Sequence, residues 1–297
     1  MEPTSYFSTA SSTLDPTLFH GDTLRPEVRA TLLGALTVGL ATYRNPERWS
    51  HAWIAGSGAS YQWAAARDPA DLDVLVGIDF DRFREDNPGF RGFGDGEIAA
   101  AMNADFRATI IPMLQGWNGY ETTFYVNMDG TDIRNLHPYA AYDITKGDWT
   151  VHPDPNPQTP HNPRWEMKVE ADNRMARDIV ARYSRAISAV NGATNAAHRI
   201  NAEVALRAAL DQGTDLFNEI HGGRSLSFSR LGEGYGGFGN FRWQAGKARG
   251  TVQALREIAD YANALRQGEA EQTYGVDLPD TQTLVRRALS MSLDRRF

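Results

Sequence analysis

The sequence predicts an α+β fold, in which a mixed sheet with flanking helices is followed by a C-terminal all-helical domain. Short apolar runs bounded by turn residues, which are typical of strands, lie in the first half of the chain. Five prolines then fall within residues 151–163, and proline at this density favours an extended linker. From residue 164 onward the composition is helical. We therefore expect one domain over residues 1–150 and a second over residues 164–297.

The elements of the first domain follow from apolar spacing and turn residues. Pro26 favours a helix start, and the apolar stretch after it continues the helical pattern. The Asp-Gly pair at residues 129–130 is a strong turn signal between two strands. In chain order we expect a helix over 23–43, a strand that ends at 56–57, a short helix over 60–67, a strand over 72–78, a helix over 95–114 and a hairpin of strands over 122–127 and 133–136.

The second domain is expected to consist of helices over residues 165–190, 194–210, 241–266 and 281–293. Within it, residues 222–239 hold seven glycines among eighteen positions. Glycine at this density gives little core and much backbone freedom, as a substrate lid or an exposed surface loop requires.

Composition restricts the class of protein. Hydrophobic residues make up 41% of the chain and charged residues 23%, which is ordinary for a soluble globular protein. No run of about 18 apolar residues is present, so no membrane span is expected, and the amino-terminal segment lacks the basic and apolar regions of a signal peptide. The absence of cysteine excludes disulfides and thiolate metal sites and favours a cytoplasmic protein. The net charge of −7 argues against broad binding to long nucleic acid.

The most informative motif is the pair Asp71 and Asp73, which begins the apolar run predicted as a strand. Strand side chains two residues apart share one face, so the two carboxylates are expected side by side. Such a pair repels itself unless a cation lies between the two groups, and Mg²⁺ prefers oxygen ligands of this kind. Upstream, Gly56-Ser57 follows another short apolar run. A turn of this kind at a strand end offers N–H groups and a hydroxyl to a phosphate.

These residues resemble the motif of the polymerase-β-type nucleotidyltransferases over roughly residues 50–145: Gly-Ser, a short helix, then Asp-x-Asp and an apolar run. The resemblance implies a nucleotidyltransferase-like sheet, with Gly56 and Ser57 binding the triphosphate of a nucleotide such as ATP. It also implies that Asp71 and Asp73 bind two Mg²⁺ ions, with Mn²⁺ as a substitute. A third carboxylate on a later strand would complete the metal site and activate the attacking hydroxyl.

The position of this third carboxylate has three candidates. We favour Asp132, just before the second strand of the expected hairpin, as a catalytic residue and metal ligand. Counting back from Pro138 places the expected acid on Asn135, which cannot accept a proton. Glu121, at the start of the preceding strand, is the third candidate. Asn135 at this position would leave nucleotide binding possible and impair catalysis.

The helical half is expected to contribute cations to the nucleotide. Arg242 and Lys247 lie on one predicted helix just after the glycine-rich stretch. In families of this kind the helical domain commonly assists the triphosphate, so both residues are candidate nucleotide contacts, with Lys247 preferred. We expect the active site in the cleft between the two domains.

The predicted reaction transfers a nucleoside monophosphate from a nucleoside triphosphate to an acceptor hydroxyl and releases pyrophosphate. The acceptor stays open between an RNA or tRNA end, a protein, a second nucleotide and a small molecule, and the oligomeric state is not predicted. The alternative is a catalytically impaired, nucleotide-binding regulatory protein on the same fold.

Overall fold

The computed structural model describes residues 5–7, 9–63 and 70–274. These residues divide into two compact units. The first unit comprises residues 5–159 and 228–235, and the second comprises residues 160–227 and 236–274. Within the described ranges, no helix combines the length and the apolar composition that crossing a bilayer requires.

The first unit is built on a five-stranded mixed sheet. Its strands and those of a small separate ribbon are β1 (Phe19–His20), β2 (Thr23–Leu24), β3 (Ser50–Ala55), β4 (Ala70–Ile78), β5 (Tyr120–Val126), β6 (Ala141–Asp143) and β7 (Asp148–Val151). Strands β1 and β2 pair only with each other, and the large sheet has the order β5-β4-β3-β6-β7. Strands β4 and β5 run parallel, whereas the other neighbours run antiparallel.

Helices pack on one face of this sheet. The helices of the first unit are α1 (Pro26–Gly39), α2 (Pro46–Trp49), α3 (Phe80–Asp86) and α4 (Asp95–Met113). Ile54 of β3 and Val74 of β4 lie in one apolar cluster with Leu32 of α1 and Met102 of α4, and all four side chains are fully buried. Side chains alternate along a strand, so Asp71 and Asp73, which alternate with the inward-facing Leu72 and Val74, point to the opposite face of the sheet.

The helices expected over 23–43 and 95–114 and the strand over 72–78 are confirmed with slightly shifted bounds. The expected hairpin is wrong, because residues 133–136 form a short 3₁₀ turn and β5 pairs with β4 instead. Helix α4 carries the chain back along the sheet between β4 and β5, and a crossover of this kind gives parallel strands. The expected short helix over 60–67 falls partly on residues outside the described part of the chain.

The second unit is a bundle of long helices. They are α5 (Pro163–Asn191), α6 (Ala196–Ser227), α7 (Phe238–Ala248) and α8 (Thr251–Tyr274). Ile179, Leu210, Trp243 and Leu255, one from each helix, are buried in a common apolar core. The single helix expected over 241–266 is two helices, and the helix expected over 281–293 lies outside the described residues.

The glycine-rich stretch is helical at both of its ends, with a connection between them. Helix α6 continues through Gly222 and Gly223, and Gly239 lies in the first turn of α7. A Cβ atom on Gly239 would lie 2.1 Å from the carbonyl oxygen of Gly223. Glycine is therefore needed here so that α6 and α7 can approach closely, and the connection proper is limited to residues 228–237.

Candidate active site

A tight turn follows Ala55, the last residue of β3. Gly56 has φ +76° and ψ −152°, a backbone conformation that is essentially restricted to glycine. Residues Ser57–Ala59 then form one 3₁₀ turn. The N–H and the hydroxyl of Ser60 both donate to the carbonyl oxygen of Ser57, each at 3.0 Å. The turn is thus fixed by its own hydrogen bonds, while Ser57 itself is partly exposed.

The aspartate pair lies beside this turn. Strands β3 and β4 are antiparallel, and Ala55 pairs with Asp73. A Cβ atom added to Gly56 would lie 3.5 Å from Oδ2 of Asp73, so the carboxylate borders the turn directly. Asp71 precedes Asp73 by two residues on the same strand, which puts both side chains on one face. Both are partly exposed. The structure therefore brings together Gly56, Ser57, Asp71 and Asp73.

The parallel neighbour β5 adds two polar side chains to this face. Glu121 pairs with Asp71 and Thr123 pairs with Asp73 in the register of the two strands. The hydroxyl of Thr123 donates to Oδ1 of Asp73 at 3.1 Å, which fixes the orientation of that carboxylate. Glu121 is exposed. Neighbouring side chains on one face of paired strands lie about 5 Å apart at Cβ, so Glu121 can reach a group bound at Asp71.

The donor atoms of this cluster fit a hard divalent cation. They are carboxylate oxygens with a hydroxyl beside them, and Mg²⁺ is commonly bound through one or two carboxylates, with water and substrate phosphates completing its coordination. Among the residues that the structure describes, no group of three or more His, Asp or Glu side chains forms a metal site by itself. Asp71 and Asp73 would accordingly hold the ion, and phosphate oxygens and water would supply the remaining ligands.

Asp132 lies at the other end of β4, which corrects the sequence-based choice of the third carboxylate. The hydroxyl of the preceding residue, Thr131, donates to the carbonyl oxygen of Ile78 at 3.1 Å. Ile78 is the last residue of β4. It lies five residues beyond Asp73, which along a strand is a distance of roughly 16 Å. The carboxylate of Asp132 is paired with the Arg134 guanidinium at 2.9 Å. It caps the 3₁₀ turn that also contains Asn135, so neither of these residues joins the aspartate pair.

The two cation candidates lie on α7 of the second unit. The guanidinium of Arg242 donates to both carboxylate oxygens of Asp172, at 2.6 and 2.9 Å, and it also contacts Glu219 at 2.8 Å. Burial lowers the pKa of the Arg242 guanidinium. The carboxylates of Asp172 and Glu219 together have the larger, opposite effect, so the pKa is raised. Arg242 is thus a structural ion-pair residue of the helical bundle and does not present its charge to a ligand. Lys247, one turn further along the helix, is partly exposed.

The sequence did not single out Thr123 and the residues that support the turn, Ser60 and Gln62. A hydroxyl on a strand carries no distinctive signal. The parallel direction of β5 could have been inferred from the helix expected between the two strands, and it would have placed Glu121 and Thr123 beside Asp71 and Asp73. Ser60 and Gln62 are nearly fully buried polar residues, a property that only the folded chain reveals.

Comparison of the chain with protein-family models, with curated proteins and with solved structures finds no match. Its function has to be inferred from its own residues.

Proposed function

We propose that this chain is a metal-dependent nucleotidyltransferase with a nucleotidyltransferase-like sheet. The observation that carries the proposal is the proximity of the Asp73 carboxylate to the Gly56 turn. This proximity places side by side two features that the chemistry requires, a pair of carboxylates that can bind a divalent cation and a turn that can bind phosphate oxygens. The two features lie 14 residues or more apart in sequence and meet through the pairing of β3 with β4.

Each residue of the site has a separate role in this proposal. The N–H groups at the start of the turn and the Ser57 hydroxyl bind phosphate oxygens of the nucleoside triphosphate, because the first N–H groups of a helical turn have no partner within that turn. Asp71 and Asp73 hold Mg²⁺, or Mn²⁺ in its place. The Thr123 hydroxyl keeps Asp73 oriented.

In the transfer, the acceptor oxygen forms a bond to the α-phosphorus and the bond from that phosphorus to the β-phosphate oxygen breaks. Pyrophosphate leaves, and Glu121 accepts the proton of the acceptor hydroxyl. A divalent cation held by the pair supplies charge neutralisation for the phosphates and a lower pKa for the attacking hydroxyl. Positioning and electrostatic stabilisation account for most of the acceleration in phosphoryl transfer.

Pyrophosphate release tests the proposal. The wild-type protein is incubated with each of the four nucleoside triphosphates, Mg²⁺ and a mixed acceptor pool from cell extract, and a labelled acceptor is then identified by mass spectrometry. We expect Asp71→Asn and Asp73→Asn to lower turnover on the order of 10²–10³-fold, with unchanged circular dichroism. Asp132→Asn is the matched control, because its carboxylate lies at the far end of β4, and it should retain wild-type turnover. Wild-type turnover in both Asp71→Asn and Asp73→Asn would refute the proposal.

A nucleotide-binding regulatory protein is the second candidate, and one observation favours it. The strand neighbour of Asp73 on β5 is a threonine instead of a third acid, so acceptance of the acceptor proton is left to Glu121. This candidate predicts Mg²⁺-dependent nucleotide affinity without pyrophosphate release in the same assay. The acceptor of the first candidate remains one of an RNA or tRNA end, a protein, a nucleotide or a small molecule, and the labelled product distinguishes these.

A further inference from the structure

Residues 228–235, which we call the strap, connect α6 to α7 and yet fold with the first unit. The N–H of Tyr235 donates to the carbonyl oxygen of His137 at 3.1 Å. Its neighbour Gly234 has φ +64°, and a Cβ atom there would lie 2.1 Å from the same carbonyl oxygen. Only glycine permits this approach, so the strap is seated at a defined place on the first unit.

The aromatic ring of Tyr235 is held between two other tyrosine rings. Its centroid lies 4.9 Å from that of Tyr6 and 4.7 Å from that of Tyr139, distances typical of favourable ring contacts. The hydroxyl of Tyr235 donates to Oε1 of Gln62. Burial, followed by the neighbouring phenols Tyr6 and Tyr139, raises the pKa of Tyr235 above its ordinary value. The phenol therefore keeps its proton and acts as a donor at neutral pH.

Gln62 connects Tyr235 to the preceding turn through hydrogen bonds. The side chain of Gln62 is nearly fully buried, and its Nε2 donates to the carbonyl oxygen of Tyr6 at 3.2 Å. Its backbone N–H donates to the hydroxyl of Ser60 at 3.1 Å. The same hydroxyl donates to the carbonyl oxygen of Ser57 at 3.0 Å. An uninterrupted series of hydrogen bonds thus joins the strap to the residue that we assign to phosphate binding.

We propose that Tyr235 is a positioning residue, which holds Gln62 and thereby keeps the Ser57 turn in the shape that binds the triphosphate. This inference depends on the proposed nucleotide role of that turn. Tyr235 acts from within the segment that connects α6 to α7 in the chain.

The test combines hydrogen exchange of the turn with nucleotide binding. Tyr235→Phe removes the donor and keeps the ring. Tyr139→Phe is the matched control, because its hydroxyl donates to the carbonyl oxygen of Asp154 instead of to Gln62. We expect amide exchange at Ser60 and Gln62 to accelerate about tenfold in Tyr235→Phe, as for one lost hydrogen bond to a buried group. The dissociation constant for Mg²⁺·ATP should rise by a similar factor, and Tyr139→Phe should leave both quantities unchanged.

The two measurements separate failure of this inference from failure of the proposed function. Wild-type exchange rates in Tyr235→Phe would overturn the positioning role, whether or not the protein binds nucleotide. Faster exchange in a protein that binds no nucleotide would support the positioning link and reject the nucleotide role of the turn. If Tyr235→Phe fails to fold, Gln62→Met breaks the same contact from the other side and also removes the bond to the Tyr6 carbonyl oxygen, so it must accelerate exchange at Ser60 at least as much. If Tyr235→Phe folds, adding it to Gln62→Met should have no further effect.

Discussion

At the scale of single residues, the surroundings of Asp73 define the candidate site. One carboxylate oxygen accepts from Thr123 and the other borders the Gly56 turn. A carboxylate oriented by a hydrogen bond can receive a cation with little loss of side-chain entropy, as preorganised sites require. Asp71 lies two residues before Asp73 on the same face of β4.

The identity of the third carboxylate is a prediction at this scale. We expect Glu121→Gln to lower the rate of transfer by about 10²–10⁴-fold, the usual contribution of a general base. Nucleotide affinity should change little, because the proposal assigns Glu121 to the proton of the acceptor and not to the triphosphate. Rate and affinity are separated by measuring kcat and the dissociation constant of the nucleotide. A wild-type rate in Glu121→Gln together with a loss in Asp132→Asn would contradict the assignment.

The residues of the site could be predicted from the sequence only in part. Asp-x-Asp before an apolar run and Gly-Ser after one are local patterns, and strand alternation is a local rule. The sequence therefore predicts Gly56, Ser57, Asp71 and Asp73 as one candidate site, and the structure brings these four residues together. The third acid depends on the direction of β5, which is decided by the path of the chain through α4. Asp132 was chosen because Asp-Gly was interpreted as a hairpin turn, whereas Asp132 instead caps a 3₁₀ turn.

At the scale of elements, α1 and α4 form the layer that supports the sheet. They meet at Gly39, the last residue of α1, where a Cβ atom would lie 2.6 Å from Cδ1 of Ile110 and 2.9 Å from Cδ1 of Phe106. Ile110 and Phe106 are fully buried in the core of the first unit. The distance between the two helices therefore depends on the absence of a side chain at residue 39.

Gly39→Ala is expected to destabilise the protein by about 1–3 kcal/mol, the usual cost of overpacking a dense core. Gly34→Ala in the same helix is the control, because an added Cβ atom meets nothing within 4 Å. That change should stabilise by about 0.5–1 kcal/mol through the higher helix propensity of alanine. Urea unfolding of both variants measures the difference. Equal effects of the two changes would show that α1 and α4 do not pack at this point.

Elements with long periodic patterns were predicted from the sequence more reliably than short ones. Helices α1 and α4 and strand β4 follow from apolar spacing. Strands β6 and β7 were missed, because three- and four-residue strands have too few side chains to establish a period of two. The glycines of the second half favour a substrate lid or a surface loop, and residues 228–237 do form a connection between two helices. Glycine is equally suited to close helix packing, as at Gly239.

At the scale of the whole molecule, each of the two units has its own means of stabilisation. The first unit buries a large apolar cluster between its sheet and helices. The second contains, besides its apolar core, an ion-pair network around the buried pair of Arg242 and Asp172. Arg242 also contacts the exposed Glu219, and Lys168 contacts both carboxylates at 3.2 and 3.7 Å. This network joins α5, α6 and α7.

Removal of Arg242 should destabilise the helical unit because Asp172, 4% exposed, loses two charge-assisted hydrogen bonds and keeps its ion pair with the partly exposed Lys168. We expect Arg242→Gln to cost about 3–5 kcal/mol, as when one partner of a buried ion pair is lost. Arg249→Gln is the control at the end of the same helix, since its pair with Glu170 is partly exposed on both sides; it should cost less than about 1 kcal/mol. Loss of helical circular dichroism during urea unfolding gives both values. Similar midpoints for the two variants would contradict a structural role for Arg242.

Binding of a non-hydrolysable ATP analogue, with and without Mg²⁺, tests the central claim most directly. If the carboxylates of β4 and the turn after β3 form one site, the wild-type protein binds the analogue tightly only with Mg²⁺. Asp73→Asn should weaken that binding at least about tenfold, the equivalent of one charge-assisted interaction, and Asp132→Asn should bind as the wild type does. Undiminished affinity of Asp73→Asn for the analogue in the presence of Mg²⁺ would contradict the account.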